Sequence, residues 1–208
     1  MEKNNEVKND DWSYKAILLE VLSWVWSIGL AVIAVLFIKN VLFSMTFVRQ
    51  SSMYPTLKDW DALIINRLEQ VRGVPLERGD IVVFEAPERA MGTIAQYSEN
   101  SAIDTFRKLF WKTLYVKRVI GVAGDQITIE DGVLYINGEA QEEPYVNPLK
   151  PYTTGDISIV VPEGHVFCLG DNRGASWDSE EFGAIPLEKV EGTANFRIFP
   201  FDRFGNID

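Results

Sequence analysis

Cysteine and histidine are almost absent from this sequence: Cys168 and His165 are the single examples of each. One cysteine excludes an internal disulfide and any zinc site built on several thiolates. One histidine means that a Ser-His-Asp triad or a multi-histidine metal centre uses His165 or does not exist. No metal and no cofactor is therefore expected. Positive charge is also scarce. Twenty Lys and Arg against 30 Asp and Glu in 208 residues give a formal net charge of −10. Such a chain is a poor ligand for a phosphate backbone, so no nucleic-acid partner is expected. Internal repeats and low-complexity tracts are lacking. The 24% charged and 47% hydrophobic content is that of an ordinary folded protein.

The apolar residues are unevenly placed. Residues 21–38 (VLSWVWSIGLAVIAVLFI) carry no formal charge. As a helix, that run spans about 27 Å, close to the roughly 30 Å of a bilayer's hydrocarbon core. A transmembrane helix over 16–40, preceded by a polar tail over 1–15, is the preferred reading. A cleaved secretory signal would have a shorter apolar region, about 7–15 residues, and a small-x-small site after it; the following LFSMTFVRQ offers no convincing one. A buried core helix is the plainer alternative, but this run is apolar on all faces and lies at the N-terminus. Lys3, Lys8 and Lys15 before the run, against Lys39 and Arg49 after it, lean slightly toward a cytoplasmic N-terminus.

Residues 45–208 read as one mostly β domain. ALIINRL, DIVVFEA and LYVKRVIGVAGD are short β-branched runs. In QITIE-DG-VLYI-NG-EAQ, Asp131-Gly132 and Asn137-Gly138 divide strand-like segments, as two-residue hairpin turns require. ISIVVPEGHVFCLGDN and TANFRIFPF supply further strands. The stretch 87–113 interrupts the pattern with a polar loop and then a helical spacing of Ile103, Phe106, Phe110 and Leu114, which Ser101 or Asp104 could cap. That helix either packs on the sheet or lies at a membrane surface.

Three segments could carry chemistry. Arg49-Gln50-Ser51-Ser52-Met53-Tyr54-Pro55-Thr56-Leu57 is by composition a turn with capping hydroxyls. In Tyr115-Val116-Lys117-Arg118, strand periodicity puts the two cations on opposite faces, so one of them faces the core or a cleft. A lysine in apolar surroundings has its ammonium form disfavoured and its pKa lowered. It can then act as a general base near neutral pH and activate a serine. An edge-strand lysine facing solvent is the plainer alternative. The cluster Gly170-Asp171-Asn172-Arg173-Gly174-Ala175-Ser176-Trp177-Asp178-Ser179 is a loop.

Taken in order, these pieces are far more specific. An apolar helix is followed by Ser-Met-x-Pro-Thr-Leu, by Arg78-Gly-Asp-Ile-Val-Val, by Val-Lys-Arg-Val-Ile-Gly, and by Gly-Asp-Asn-Arg-x-x-Ser-x-Asp-Ser. This series resembles the type I signal peptidases, the bacterial membrane-anchored kind, from about residue 21 to the C-terminal Phe-Asp-Arg-Phe-Gly. Asp131-Gly-Val-Leu-Tyr-Ile-Asn-Gly and Glu143-Pro144-Tyr145 look like that family too.

The resemblance implies a β-rich catalytic domain similar to that of the self-cleaving SOS repressors. It implies Ser52 as nucleophile and Lys117 as general base of a Ser-Lys dyad. Ser52, Gln50 and Met53 would form the oxyanion and substrate-positioning segment, while Arg118, Asp171, Ser176 and Asp178 would brace the site. The implied substrates are signal peptides of exported preproteins, cut after small-x-small. The implied setting is the cytoplasmic membrane, crossed once, beside the export machinery, with the catalytic domain outside.

Three positions depart from the family pattern. Gln50 stands where relatives carry Ser or Gly, so the second oxyanion donor is open. Glu180 stands where an Arg is usual, which removes a partner of Asp178 that Arg118 or Arg173 could replace. The 87–113 stretch is longer than the shortest relatives have. Two other functions compete with this one. A non-catalytic membrane-anchored assembly factor or chaperone on the same fold is set against the presence of both Ser52 and Lys117. A soluble self-cleaving regulator is set against the apolar helix.

Overall fold

The computed structural model describes residues 11–37, 43–85, 114–149 and 156–207. The expected loop and helix over 87–113 lie outside the described residues. Contacts divide the chain between residues 42 and 43 into two units. The first holds helix α1, Asp11–Phe37. Its segment Tyr14–Val35 is apolar, solvent-exposed along its whole length, and long enough to cross a membrane. At 1.5 Å per residue those 22 residues reach about 33 Å.

The second unit is mostly β, as expected. Its strands are β1 (Phe43–Phe47), β2 (Ala62–Asn66), β3 (Ile81–Glu85), β4 (Leu114–Val122), β5 (Gln126–Glu130), β6 (Val133–Ile136), β7 (Glu139–Ala140), β8 (Ile157–Val160), β9 (His165–Leu169), β10 (Ile185–Pro186), β11 (Val190–Phe199) and β12 (Gly205–Asn206). Short helices α2 (Leu68–Val71) and α3 (Ser179–Phe182) lie between them. The larger sheet runs β1-β2-β11-β3-β4-β9-β10, with β12 beside β11; the smaller runs β7-β6-β5-β8. Each pairing is antiparallel.

Both predicted hairpins form. Asp131 and Gly132 sit at φ 49° and 75°, Asn137 and Gly138 at 53° and 84°. Positive φ at both central residues makes turns whose twist matches the flanking strands. They join β5 to β6 and β6 to β7 in direct register, Glu130 opposite Val133 and Ile136 opposite Glu139.

The larger sheet is covered on both faces, and strand periodicity sorts its residues. Val82, Phe84, Tyr115, Val119 and Cys168 belong to one buried cluster, Ile81, Val83, Leu63, Ile65 and Met53 to another. A third cluster, including Ile120, Ile127 and Phe167, sits at the smaller sheet. Val119 and Ile120, adjacent on β4, point to opposite faces and so serve two clusters, next to a register shift between Val119 and Gly121. Each buried aliphatic or aromatic side chain contributes about 1.5–3 kcal/mol. This two-sided packing is what puts β4, and the lysine on it, in the interior.

Candidate active site

Ser52 lies in the loop between β1 and β2 and is buried. The loop is pinned from two sides. Its neighbour Met53 drops its side chain into a core cluster with Val48 and Leu57, and the Leu57 N–H donates to the Met53 carbonyl at 2.8 Å. From the other side, the Asn172 N–H donates to the Ser52 carbonyl at 2.9 Å, and Asn172 Nδ2 to the Ser51 carbonyl at 2.9 Å. The Ser52 N–H itself has no acceptor among the described residues.

Lys117 is in the middle of β4, opposite Val82, and is 1% exposed. Burial in the cluster of Val82, Tyr115, Val119 and Cys168 pulls its pKa down to about 8, against the weaker upward pull of Asp178 and Glu181. Among the described residues no carboxylate lies within salt-bridge reach of it. Its Nζ sits 5.7 Å from the centre of the Tyr115 ring. Tyr115 in turn lines an open pocket of about 440 Å³ with Ser52, Trp177 and the run from Arg49 to Ser51. Tyr115 thus stands between the Lys117 side chain and the pocket that Ser52 lines, a place built from separate elements.

The loop after β9 closes that place. Gly170 is there because nothing larger fits: a Cβ would lie 2.6 Å from Ser176 Cβ and press on the Ser52 carbonyl. The Gly170 N–H donates to Asp178 Oδ2 at 2.9 Å, and the Glu180 N–H to Asp178 Oδ1 at 3.2 Å. The Asp178 N–H donates to Glu181 Oε2 at 3.0 Å, completing a capping box at the start of α3. Ser176 Oγ is buried beside Gly170 without a hydrogen-bond partner among the described residues.

Arg118, one residue from Lys117, faces the other way and is also buried. It grips Asp171 with two bonds, Nε to Oδ1 at 3.0 Å and Nη2 to Oδ2 at 2.9 Å, and donates Nη1 to the Gly79 carbonyl at 3.0 Å. Its guanidinium stacks 4.2 Å from the Tyr145 ring centre. Asp171 Oδ2 also accepts from Thr56 Oγ1 at 2.5 Å, which ties the Ser52 loop to the loop after β9.

The structure changes two details of the sequence reading. Neither Arg118 nor Arg173 takes over Asp178: Arg118 holds Asp171, Arg173 pairs with Glu143 at 2.6 Å, and Asp178 receives backbone amides. Lys117 and Arg118 are both interior, because the sheet is covered on each face. Met53 is a core residue, 1% exposed. His165 opens β9, half-buried, with Nδ1 2.9 Å from the Glu163 carbonyl. Gln50 lines the Ser52 pocket. Cys168 is fully buried, and burial pushes its thiol pKa up, away from a reactive thiolate. Among the described residues no cluster of His, Cys, Asp and Glu could hold a metal ion.

Thr56, Glu143 and Trp177 were not singled out from the sequence. Thr56 and Trp177 lie inside the motifs that flank Ser52 and Asp178, and Glu143 opens Glu-Pro-Tyr, so motif position was the available signal.

Residues 21–199 match the family described as signal peptidase, peptidase S26. Signal peptidase I of Bacillus caldolyticus is 36% identical over 193 residues, covering 87% of this chain and 92% of that protein. Signal peptidase IB of Staphylococcus aureus is 34% identical over 201 residues, covering 89% and 93%. A crystal structure of a signal peptidase I from Enterococcus faecalis V583 is 30% identical, with a TM-score of 0.41 over 57% of this chain and 96% of that one. The apolar N-terminal helix and these bacterial relatives fit a membrane-anchored protein. The chain belongs to the signal peptidase family, peptidase S26, an enzyme family of serine endopeptidases.

Proposed function

We propose that this protein removes signal peptides from exported preproteins by cutting after a small-x-small sequence, with Ser52 as nucleophile and Lys117 as general base. The observation that carries the reading is Lys117: a lysine inside an apolar cluster, with its pKa lowered to about 8 by burial. A neutral amine at that position is a competent base near neutral pH. Neutral Lys117 takes the proton of Ser52 Oγ as the oxygen attacks the scissile carbonyl. The Ser52 N–H, free of other acceptors among the described residues, donates to the resulting oxyanion, and Gln50 adds the second donor. Lys117 then passes its proton to the leaving amine, which departs as the N-terminus of the mature protein. A water, deprotonated by Lys117, attacks the acyl-enzyme ester and frees Ser52.

Asp171, Ser176, Asp178 and Arg118 brace this arrangement, the last by holding Asp171 and through it Thr56. We further propose a single crossing by α1 with the N-terminus in the cytoplasm and the catalytic domain outside, next to the export machinery. The test is purified full-length protein in non-ionic detergent with a preprotein carrying Ala-x-Ala at its cleavage site, beside Ser52→Ala and Lys117→Met. Cleavage by the unmutated protein alone is expected. Cleavage retained in either variant would sink the dyad.

A further inference from the structure

The pocket beside Ser52 has one wall whose charge the dyad chemistry does not use. Arg49 lines that pocket, three residues before Ser52. Although the chain has 30 acidic residues against 20 basic ones, Arg49 has no carboxylate partner among the described residues. The pocket's remaining walls, including Gln50, Ser51, Tyr115 and Trp177, carry no formal charge. A guanidinium on the rim of such a pocket is an unneutralised cation with five donors.

Its position is built. The Arg49 Cζ lies 4.5 Å from the centre of the Trp60 ring, within cation–π range. Trp60 has φ +70°, a left-handed conformation that a bulky residue adopts only under outside constraint. Two hydrogen bonds supply part of that constraint: the Trp60 N–H donates to the Val48 carbonyl at 2.9 Å, and the Val48 N–H to the Asp61 carbonyl at 2.8 Å. The rest comes from Asp61, fully buried next door. Its carboxylate accepts from Arg197 Nη1 at 3.1 Å and from the Lys58 N–H at 3.0 Å, and it pairs with Arg203. A buried ion network thus holds a strained tryptophan, and the tryptophan holds Arg49 at the rim of the pocket that contains Ser52.

We infer that Arg49, seated on Trp60, is a specificity residue that binds a carboxylate side chain of the peptide substrate within a few residues of the scissile bond. The inference rests on the peptidase reading above. A rim ion pair strengthened by guanidinium hydrogen bonds supports a preference of about three- to tenfold for an acidic over an isosteric amide side chain.

The experiment uses full-length protein in non-ionic detergent with a set of fluorogenic peptides that share an Ala-x-Ala site. A single Glu, Gln or Lys is moved through each position from four before the bond to three after it. The expected result is one position where Glu exceeds Gln in kcat/KM by about three- to tenfold, chiefly through KM, with the ratio falling as salt is raised. In Arg49→Gln that ratio drops to about one. In Arg49→Glu the preference at that position passes to Lys, a reversal that a merely structural role would not produce. In Trp60→Ala the ratio weakens. The same Glu-to-Gln ratio in the unmutated protein and Arg49→Gln at every position would overturn the inference and leave the peptidase reading intact. So would an Arg49→Gln effect seen only with anionic vesicles and equal for Glu and Gln peptides, which would assign the charge to lipid. Failure of the unmutated protein to cut any peptide would overturn both readings.

Discussion

Lys117 and Arg118 are sequence neighbours on β4, both interior, and the two faces of the strand treat them oppositely. Arg118 is matched: two bonds to Asp171, one to the Gly79 carbonyl and a stacked Tyr145. Lys117 has apolar neighbours, an aromatic ring 5.7 Å away and no carboxylate in salt-bridge reach among the described residues. A matched buried charge holds structure together. An unmatched one is costly to keep charged, and that cost makes the lysine a base. On the proposed mechanism, the difference between the faces is the difference between bracing and chemistry.

Several changes would break or sharpen this contrast. The largest effect belongs to the unmatched side: Lys117→Met, and equally Lys117→Arg, which stays protonated, should lower kcat/KM at least about 10³-fold, since the serine loses its base. Steady-state cleavage of an Ala-x-Ala preprotein measures it; a loss under tenfold would mean that another group takes the proton. On the matched side, Asp171→Asn should destabilise the protein by about 3–5 kcal/mol, because Arg118 stays buried without its counter-charge. Urea unfolding in detergent reads this, and a loss below about 1 kcal/mol would show that the pair is dispensable.

The same Lys117→Met that ends activity should make the protein more stable at neutral pH. A lysine pKa lowered from 10.5 to about 8 corresponds to roughly 3 kcal/mol of disfavoured ammonium. Because the unfolded chain binds the extra proton between those values, the stability of the unmutated protein rises with pH across them. The advantage of Lys117→Met is therefore full below pH 8 and fades toward pH 10.5. An unchanged melting temperature at pH 7 would contradict the unmatched charge. The smallest effect is Thr56→Val, which removes one hydrogen bond to Asp171 and should cost about 1 kcal/mol.

Much of this was legible in the sequence, though not evenly. The hairpins were legible because Asp131-Gly132 and Asn137-Gly138 carry a local requirement for positive φ. β3, β4 and β9 were legible as apolar β-branched runs. β1 was not: FSMTF follows directly on the apolar helix and reads as its continuation, although Ser44 and Thr46 alternate with Phe43, Met45 and Phe47 as a strand demands. Which cation of Lys117 and Arg118 faces the interior had no single answer, because periodicity assigns faces and only tertiary packing says that both faces are covered. The partners of Asp178 were missed for a related reason. Charge pairing invited an arginine, whereas a residue preceding a short helix satisfies backbone amides first. The platform of Trp60 under Arg49 depends on contacts between residues far apart in the chain, such as Asp61 with Arg197 and Arg203, which no local pattern announces.

The central claim is that burial, outweighing the carboxylates nearby, makes Lys117 a base, and the pH profile of kcat/KM tests it most directly. With the free enzyme's lysine titrating near pH 8, the rate should rise about tenfold per pH unit through the acidic range and level off above pH 8. Conservative replacement of Asp178 by Asn, which removes the largest opposing charge, should move the midpoint downward. A profile flat from pH 5 to 9, or a midpoint near the ordinary lysine value of 10.5, would contradict it.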